Sequence, residues 1–390
     1  MAAMLLEATS PGYEWEPSVV RAFTEADWSF SQARSQRELH PYPARFIPEI
    51  PRQALGILNP QGVVIDPFCG SGTTLFEATR IGLNSVGIDL NPIACLIARV
   101  RCHRWLPGDA VIAKQHSEAI HEASLGAAED TPLLVDIPRL DHWFTPWAAS
   151  ALVGATTYCQ SIANPIWRDR IAVAISSVVV RLSRQDSDTR YAAVDKKGDQ
   201  ESAAKAIALA VLRASEWLEE NNPGISAPVS QVWEHDATDL SFLPDDRASV
   251  AMFSPPYPNA YEYWLYHKYR MYWLGFDPIH VRTHEIGARP HYSKKNGLTA
   301  DDFQNQLAQV FAELRRVLVP AAPLVVVIGD SVIGGQNIDN AEVTANAAET
   351  AGLDVITQVR RAIAVGKSSF NRAHSRGRRE EHVILLRNHL

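Results

Sequence analysis

Several things are scarce in this 390-residue sequence, and each absence excludes something. There are only four cysteines, Cys69, Cys95, Cys102 and Cys159, and no two stand at a paired metal-ligand spacing. A disulfide scaffold is ruled out, no metal site is expected, and the thiols suit a reducing compartment. No apolar run reaches the length of a membrane span. The opening MAAMLLEATSPGYEWEP has neither a basic n-region nor a long apolar core, so no secretory signal is expected there. These features together predict a cytoplasmic protein with no membrane partner. Positive charge is also in deficit: 37 Lys and Arg stand against 44 Asp and Glu, a net charge of −7. Any contact with a polyanion therefore needs a local basic patch on an acidic body. No internal repeat is visible.

What is present is ordinary for a globular chain: 46% hydrophobic and 21% charged residues, enough for a sizeable core. The length allows two or three domains, or one large α/β domain with an insertion. After an arm with a short helix (Val20 to Ala26), His40 to Pro51 is proline-rich and predicted to be extended. Then a strand ending in an acid (Gly62 to Asp66) leads through a Gly-rich turn into a helix from Thr73. A second strand, Ser85 to Asp89, also ends in an acid. Asn91 caps a third element from Pro92 to His103. This is the βαβα pattern of a doubly wound parallel sheet. Residues 104–230 carry apolar residues at helical spacing and few strand signals. They read as a helical insertion, with a polar loop at Ser183 to Gln200. Strands resume at Gln231 to His235, Ala248 to Phe253 and Leu324 to Ile328. The helix from Asp301 to Leu318 has Thr299 and Asp302 as a capping box. Leu353 to Val365 and His382 to Leu386 are predicted to close the sheet as a hairpin.

A Gly-rich turn at the carboxyl edge of a strand aims backbone N–H groups at the sheet crevice. A phosphate loop is excluded because no Lys follows Gly72, and a dinucleotide turn is only partly matched because Leu75 replaces the third glycine. S-adenosylmethionine remains, with a ribose for Asp89 and an amino group for Asp66. A tight turn in some other α/β enzyme uses the same residues. Further on, strand Val250 to Phe253 runs into Ser254-Pro255-Pro256-Tyr257. Proline has no N–H, so the carbonyls of this turn act as pure acceptors. The Ser254 hydroxyl and Pro255 carbonyl can together accept from one exocyclic amine, while Tyr257 offers a stacking face. Acceptors on the amine hydrogens free its lone pair for direct in-line attack on a methyl group, and near-attack placement lowers the barrier by several kcal/mol. The base must first leave the helix stack.

Asp66-Pro-Phe-Cys-Gly-Ser-Gly-Thr-Thr74 resembles the methyl-donor signature of DNA amino-methyltransferases, and Ser254-Pro-Pro-Tyr257 resembles their catalytic element. His40-Pro-Tyr-Pro-Ala-Arg-Phe46 looks like the segment these enzymes place over the methionine end of the donor. The resemblance implies a Rossmann-like S-adenosylmethionine-dependent methyltransferase fold: α/β, a mostly parallel doubly wound sheet, a C-terminal antiparallel hairpin and a helical insertion. It implies that Tyr42, Asp66, Phe68, Gly70, Ser71, Gly72 and Thr73 line the donor pocket, that Asp89 holds the ribose and that Asp236 meets the adenine amine. The reaction implied is site-specific methylation of double-stranded DNA on a flipped base. Cytosine N4 is favoured by Ser254 over adenine N6; methylation of a base amine in RNA is a further alternative. A cognate restriction or defence partner is an inference from the family alone. The C5-cytosine chemistry needs a nucleophilic cysteine, usually after a proline, and none of the four cysteines follows one.

The aromatic run from Tyr261 to Phe276 is predicted to be a helix with a buried face, Tyr261 walling the base pocket and His267 and Lys268 solvated. From Arg360 onward the chain is locally basic. Lys367, Arg372, Arg376, Arg378 and Arg379 are candidate phosphate contacts in a loop between hairpin strands. The expected organisation is a donor half over 1–103, an insertion over 104–230 that recognises the target, and a catalytic half over 231–390. Oligomeric state and recognition sequence are not legible.

Overall fold

The computed structural model describes residues 12–30, 38–128, 132–133, 136–188, 190–222, 224, 228–259, 261–293, 297–363 and 379–389. The N-terminal part contributes α1 (Pro17–Glu25) and α2 (Glu49–Leu58). The sheet begins with β1 (Val63–Asp66), α3 (Thr73–Arg80), β2 (Ser85–Asp89) and α4 (Pro92–Arg101). Five helices follow: α5 (Asp109–Gly126), α6 (Leu140–Trp143), α7 (Pro146–Ser161), α8 (Pro165–Leu182) and α9 (Gln200–Glu220). The chain returns to the sheet with β3 (Ser230–Glu234) and β4 (Ala248–Phe253), then α10 (Tyr263–Trp273), α11 (Pro278–His284), α12 (Arg289–Tyr292) and α13 (Ala300–Val317). It ends with β5 (Pro323–Gly329), α14 (Asn340–Thr350), β6 (Leu353–Ile363) and β7 (Arg379–Asn388). Among the described residues no helix is long and apolar enough to cross a membrane.

The seven strands lie in the order β6-β7-β5-β4-β1-β2-β3. All neighbours from β5 to β3 run parallel, and β7 is antiparallel to both β5 and β6. The period-2 alternation of the strands sorts their side chains onto two faces. Val63, Ile65, Ala251, Phe253, Leu324, Val326 and Ile328 pack against α13, through Phe303, Leu307 and Phe311. Val64, Val250, Met252, Val325 and Val327 pack instead against α1 and α2, through Phe23, Ile50 and Leu55. This doubly wound sheet with a closing hairpin is the predicted one. It places the carboxyl ends of β1, β2 and β4 along a single edge.

Local signals account for most boundaries. Thr299 accepts from the Asp302 N–H and Asp302 accepts from the Thr299 N–H, so the capping box of α13 is formed. The Asn91 side chain accepts from the Ile93 N–H at the start of α4. Two expectations need correction. The segment His40 to Pro51 is not extended throughout: it turns at Pro43-Ala44, where Ala44 adopts φ +44°, and it enters α2 at Glu49. Pro51 sits in the first turn of α2, where a missing N–H has no intrahelical partner to lose. The polar loop at Ser183 to Gln200 contains a small hairpin, Gln185–Ser187 paired with Arg190–Ala193.

The insertion helices share one apolar core with α4 and α10. Ile97, Val100, Leu152, Ile171, Val179, Ile207, Val211, Trp264 and Trp273 belong to the same cluster.

Candidate active site

Two turns meet at the sheet edge. The turn after β1 runs from Pro67 to Gly72, and the turn after β4 runs from Ser254 to Tyr257. Their strands are hydrogen-bonded neighbours, with Ile65 opposite Ala251. Phe68 of the first turn lies 5.8 Å from Phe253, centroid to centroid. The two predicted motifs therefore end neighbouring strands at one edge of the sheet, in contact through these rings. Gly72 begins α3 at φ +79°, and a Cβ there would stand 2.8 Å from the Ala98 Cα. This glycine is required both for its left-handed backbone and for the close approach of α4.

The acids at the strand tips are organised by backbone. Asp66 is buried and accepts from the Phe68 N–H at 3.0 Å. Asp89 accepts from the Gly70 N–H at 2.8 Å and from the Asn91 N–H at 2.8 Å. Burial pushes Asp66 up to about 7 and Asp89 up to about 6, and these N–H donors oppose the rise. Tyr42 stacks on Tyr263 at 6.0 Å, and the Gly70 backbone lies beside its phenol. Ser71 is buried in the turn. Thr73 is buried too, but its hydroxyl accepts from the guanidinium of Arg101 at 3.2 Å.

Sequence reasoning missed Glu285, at the end of α11. It is 8% exposed, and its carboxyl accepts from the Tyr263 N–H at 2.8 Å and from the Trp264 N–H at 2.9 Å. It thereby holds the first turn of α10 from outside the helix. Burial, with the charges of Asp89 and Glu262 adding to it, pushes its carboxyl up to about 8. Two residues on, Gly287 adopts φ +76°, and a Cβ there would stand 2.9 Å from the Pro256 carbonyl and 3.1 Å from that of Tyr257. The Gly287 carbonyl accepts from the Asn259 N–H at 2.9 Å. The strap Glu285 to Gly287 therefore supports both the Ser254 turn and the aromatic helix. No motif marked it, because its partners are backbone groups remote in sequence.

In the Ser254 turn, Pro255 is buried and Ser254 and Pro256 are half-buried. The Tyr257 hydroxyl donates to Glu381 at 3.1 Å, and Glu381 in turn lies 3.6 Å from the buried Arg361. The phenol is thus anchored to β7, which fixes the ring as a wall. Asp236 follows β3, and one of its oxygens accepts from both the N–H and the hydroxyl of Thr238. With Glu285, His284 and Gln306 it lines a cleft of about 500 Å³. Cys69 is buried against Leu75 and Ala98, and burial pushes its thiol well above the ordinary value. It is packing, as expected, and not a ready nucleophile.

The α10 face is only partly as predicted. Trp264, Tyr269 and Trp273 are buried, and Tyr261 packs on Tyr263 at 5.7 Å. His267, expected in solvent, is fully buried beside Tyr42 because it lies one turn from Tyr263 on the same face. Lys268 is half-buried over the rings of Tyr191 and Tyr269. Lys367, Arg372, Arg376 and Arg378 lie outside the described residues; Arg379 opens β7.

Residues 16–99, which hold the first turn and both strand-tip acids, match the family model for DNA methylases. The chain is 44% identical over 68 residues to the type II methyltransferase M.MjaII of Methanocaldococcus jannaschii, covering 17% of this chain and 13% of that one. It is 29% identical over 119 residues to the type II methyltransferase M.MvaI of Kocuria varians, covering 27% and 25%. The chain thus spans a quarter or less of the length of these curated relatives. Among solved structures, a SAM-dependent methyltransferase from Methanosarcina mazei aligns over 84% of this chain and 92% of its own, at 10% identity and a TM-score of 0.32.

Proposed function

We propose that the protein is an S-adenosylmethionine-dependent DNA methyltransferase acting on the exocyclic amine of a flipped base, with cytosine N4 as the target atom. The observation that carries this reading is the juxtaposition of two turns at one sheet edge: the turn after β1, inside the segment that matches DNA methylases, and the Ser-Pro-Pro-Tyr turn after β4, on paired strands in contact through Phe68 and Phe253.

The residues present fit the donor. Asp66, Asp89 and Glu285 are three buried carboxyls held by backbone N–H groups. A ligand that brings positive charge and hydroxyls satisfies them, whereas a phosphate would be repelled. Asp66 suits the ammonium group, Asp89 the ribose, and Tyr42 with Phe68 the apolar flanks; Asp236 suits the adenine amine. When bound, S-adenosylmethionine supplies a methyl group on a positively charged sulfur. The chain contributes placement. The Ser254 hydroxyl and Pro255 carbonyl accept from the base amine, and Tyr257 holds the ring plane through its Glu381 anchor. Burial, with the charge of Glu381 beside the phenol adding to it, keeps Tyr257 protonated.

The likeness to two type II methyltransferases supports site-specific modification, with a cognate nuclease as the natural partner. The test is methyl transfer from labelled donor to DNA and RNA in parallel, followed by mass analysis of the nucleosides. N4-methylcytosine from DNA, absent with Ser254→Ala, is the expected result. N6-methyladenine would overturn the assignment of the atom, and label in RNA alone would overturn the substrate.

A further inference from the structure

Three cations gather beside the cleft, each from a different element. Arg139 precedes α6 and is exposed, Lys268 lies on α10 and is half-buried, and Arg282 lies on α11 and is exposed. Among the described residues none of the three forms an ion pair. Arg139 and Arg282 both act on the Lys268 ammonium, adding to burial in lowering its hold on the proton. Gathering like charges without an ion pair at any of them is unfavourable, and in a chain of net charge −7 it is also conspicuous.

Flat rings lie between the charges. The Lys268 ammonium stands 5.8 Å from the Tyr191 ring centre and 5.5 Å from that of Tyr269. Those two rings are parallel within 2°. The Arg282 guanidinium lies 5.1 Å over Trp264. Trp264 adjoins Tyr263, which stacks on Tyr42 in the cleft, so the cationic surface begins one residue from the wall of the active site. Trp264 and Tyr269 are themselves buried, so the rings hold the cations in place rather than offering stacking faces, and a set of cations fixed at the surface matches the phosphates of a nucleic-acid strand.

We infer that Arg139, Lys268 and Arg282 form the phosphate-contacting surface that holds the DNA strand bearing the target base against the cleft. This rests on the DNA reading above. It assigns to DNA a surface built jointly by the insertion and the catalytic half.

The experiment is duplex binding by fluorescence anisotropy over a salt series, with the full chain. Arg139→Gln, Lys268→Met and Arg282→Gln keep the packing stems and remove the charge. Each neutralised contact should reduce the slope of log affinity against log salt by about 0.9. The triple variant should lose two to three such contacts, and about tenfold or more in affinity at low salt. Arg282→Lys should retain the slope. Binding of S-adenosylhomocysteine, followed by calorimetry, should be unchanged in every variant and checks that the cleft is folded. The pair Lys114→Ala and Lys205→Ala, exposed on α5 and α9, should leave the slope as in the wild type. A triple variant with wild-type slope and affinity, or an equal loss from the control pair, overturns the surface and leaves the methyltransferase reading intact. A wild-type chain that binds S-adenosylhomocysteine but no duplex overturns both.

Discussion

Glu285 offers the sharpest test of how this site is held together. Its carboxyl receives two backbone N–H groups of α10 at 2.8 and 2.9 Å, yet it is pushed up to about 8 by burial. Glu285→Gln keeps an acceptor oxygen and removes the titration. Glu285→Ala leaves both donors without that carboxyl, at a cost of about 1–3 kcal/mol each. The pH dependence has a definite sign. Between the ordinary carboxylate range and pH 8 the unfolded chain has released this proton and the folded chain still binds it. The folded state therefore carries the extra proton, and this group's contribution to stability falls as pH rises, by about 1.4 kcal/mol per pH unit. Asp66 and Asp89 contribute with the same sign, so the wild type alone does not isolate Glu285. The difference between the wild type and Glu285→Gln does. Denaturant unfolding at pH 5.5, 6.5 and 7.5 should show Gln gaining on the wild type by about 1 kcal/mol or more per unit. Ala should be the least stable variant at pH 5.5. A difference between wild type and Gln that does not move with pH would refute a proton held at this position.

Other outcomes follow from the same geometry. Affinity for a positively charged donor analogue should rise from pH 5.5 to 8 as Asp66 and Asp89 ionise; Asp66→Asn should flatten the rise in calorimetric titrations. Ser254→Ala should abolish methyl transfer and leave donor affinity within about twofold. Tyr257→Phe loses one hydrogen bond to Glu381, worth about 1 kcal/mol, and should slow transfer several-fold with little change in donor affinity. Gly287→Val forces a β-branched side chain into the left-handed region and against the Pro256 carbonyl. It should lower kcat far more than donor affinity, and an unchanged kcat would show that the strap does not set the Ser254 turn.

Much of this was legible in the chain because it is carried by local chemistry. The strand-ending acids Asp66 and Asp89, the Asn91 cap and the Thr299 capping box are each decided within a few residues, and the structure has all of them. The pairing of the two motifs was legible because strands that end in a turn deliver it to one edge of a parallel sheet. What was not legible depends on contacts far apart in sequence. Glu285 is an ordinary acid until α11 returns it to the start of α10, 21 and 22 residues away from its N–H partners. His267 follows a run of aromatics and precedes a Lys, which reads as a solvated edge. Its burial comes from the His40 to Tyr42 segment, more than two hundred residues upstream. The hydroxyl of Thr73 accepts from Arg101, a partner that the nine-residue signature does not contain.

The insertion and the His40 to Tyr42 segment are tied by the same few atoms. Nε2 of buried His40 shares a hydrogen bond with the Ser176 hydroxyl at 2.9 Å. The Arg270 guanidinium donates to the Ser176 carbonyl at 3.1 Å and reaches Asp188 beyond it. One residue of α8 therefore meets the segment carrying Tyr42 and the helix carrying Tyr263, while Arg270 extends the link to the small hairpin of the insertion. Both histidines, His40 and His267, lie against this arginine, and burial with its charge drives each well below the usual imidazole range. They stay neutral through physiological pH and add no charge opposing a cationic ligand. Ser176→Ala removes the hydroxyl and leaves the carbonyl contact, so it separates the two links. Donor affinity should fall several-fold as His40 loses a partner, while α10, still held by the carbonyl, keeps its place and duplex affinity is retained. Loss of duplex affinity with donor affinity unchanged would place the control in Arg270 and Asp188 instead, and the cover over the cleft would then be held without help from the insertion.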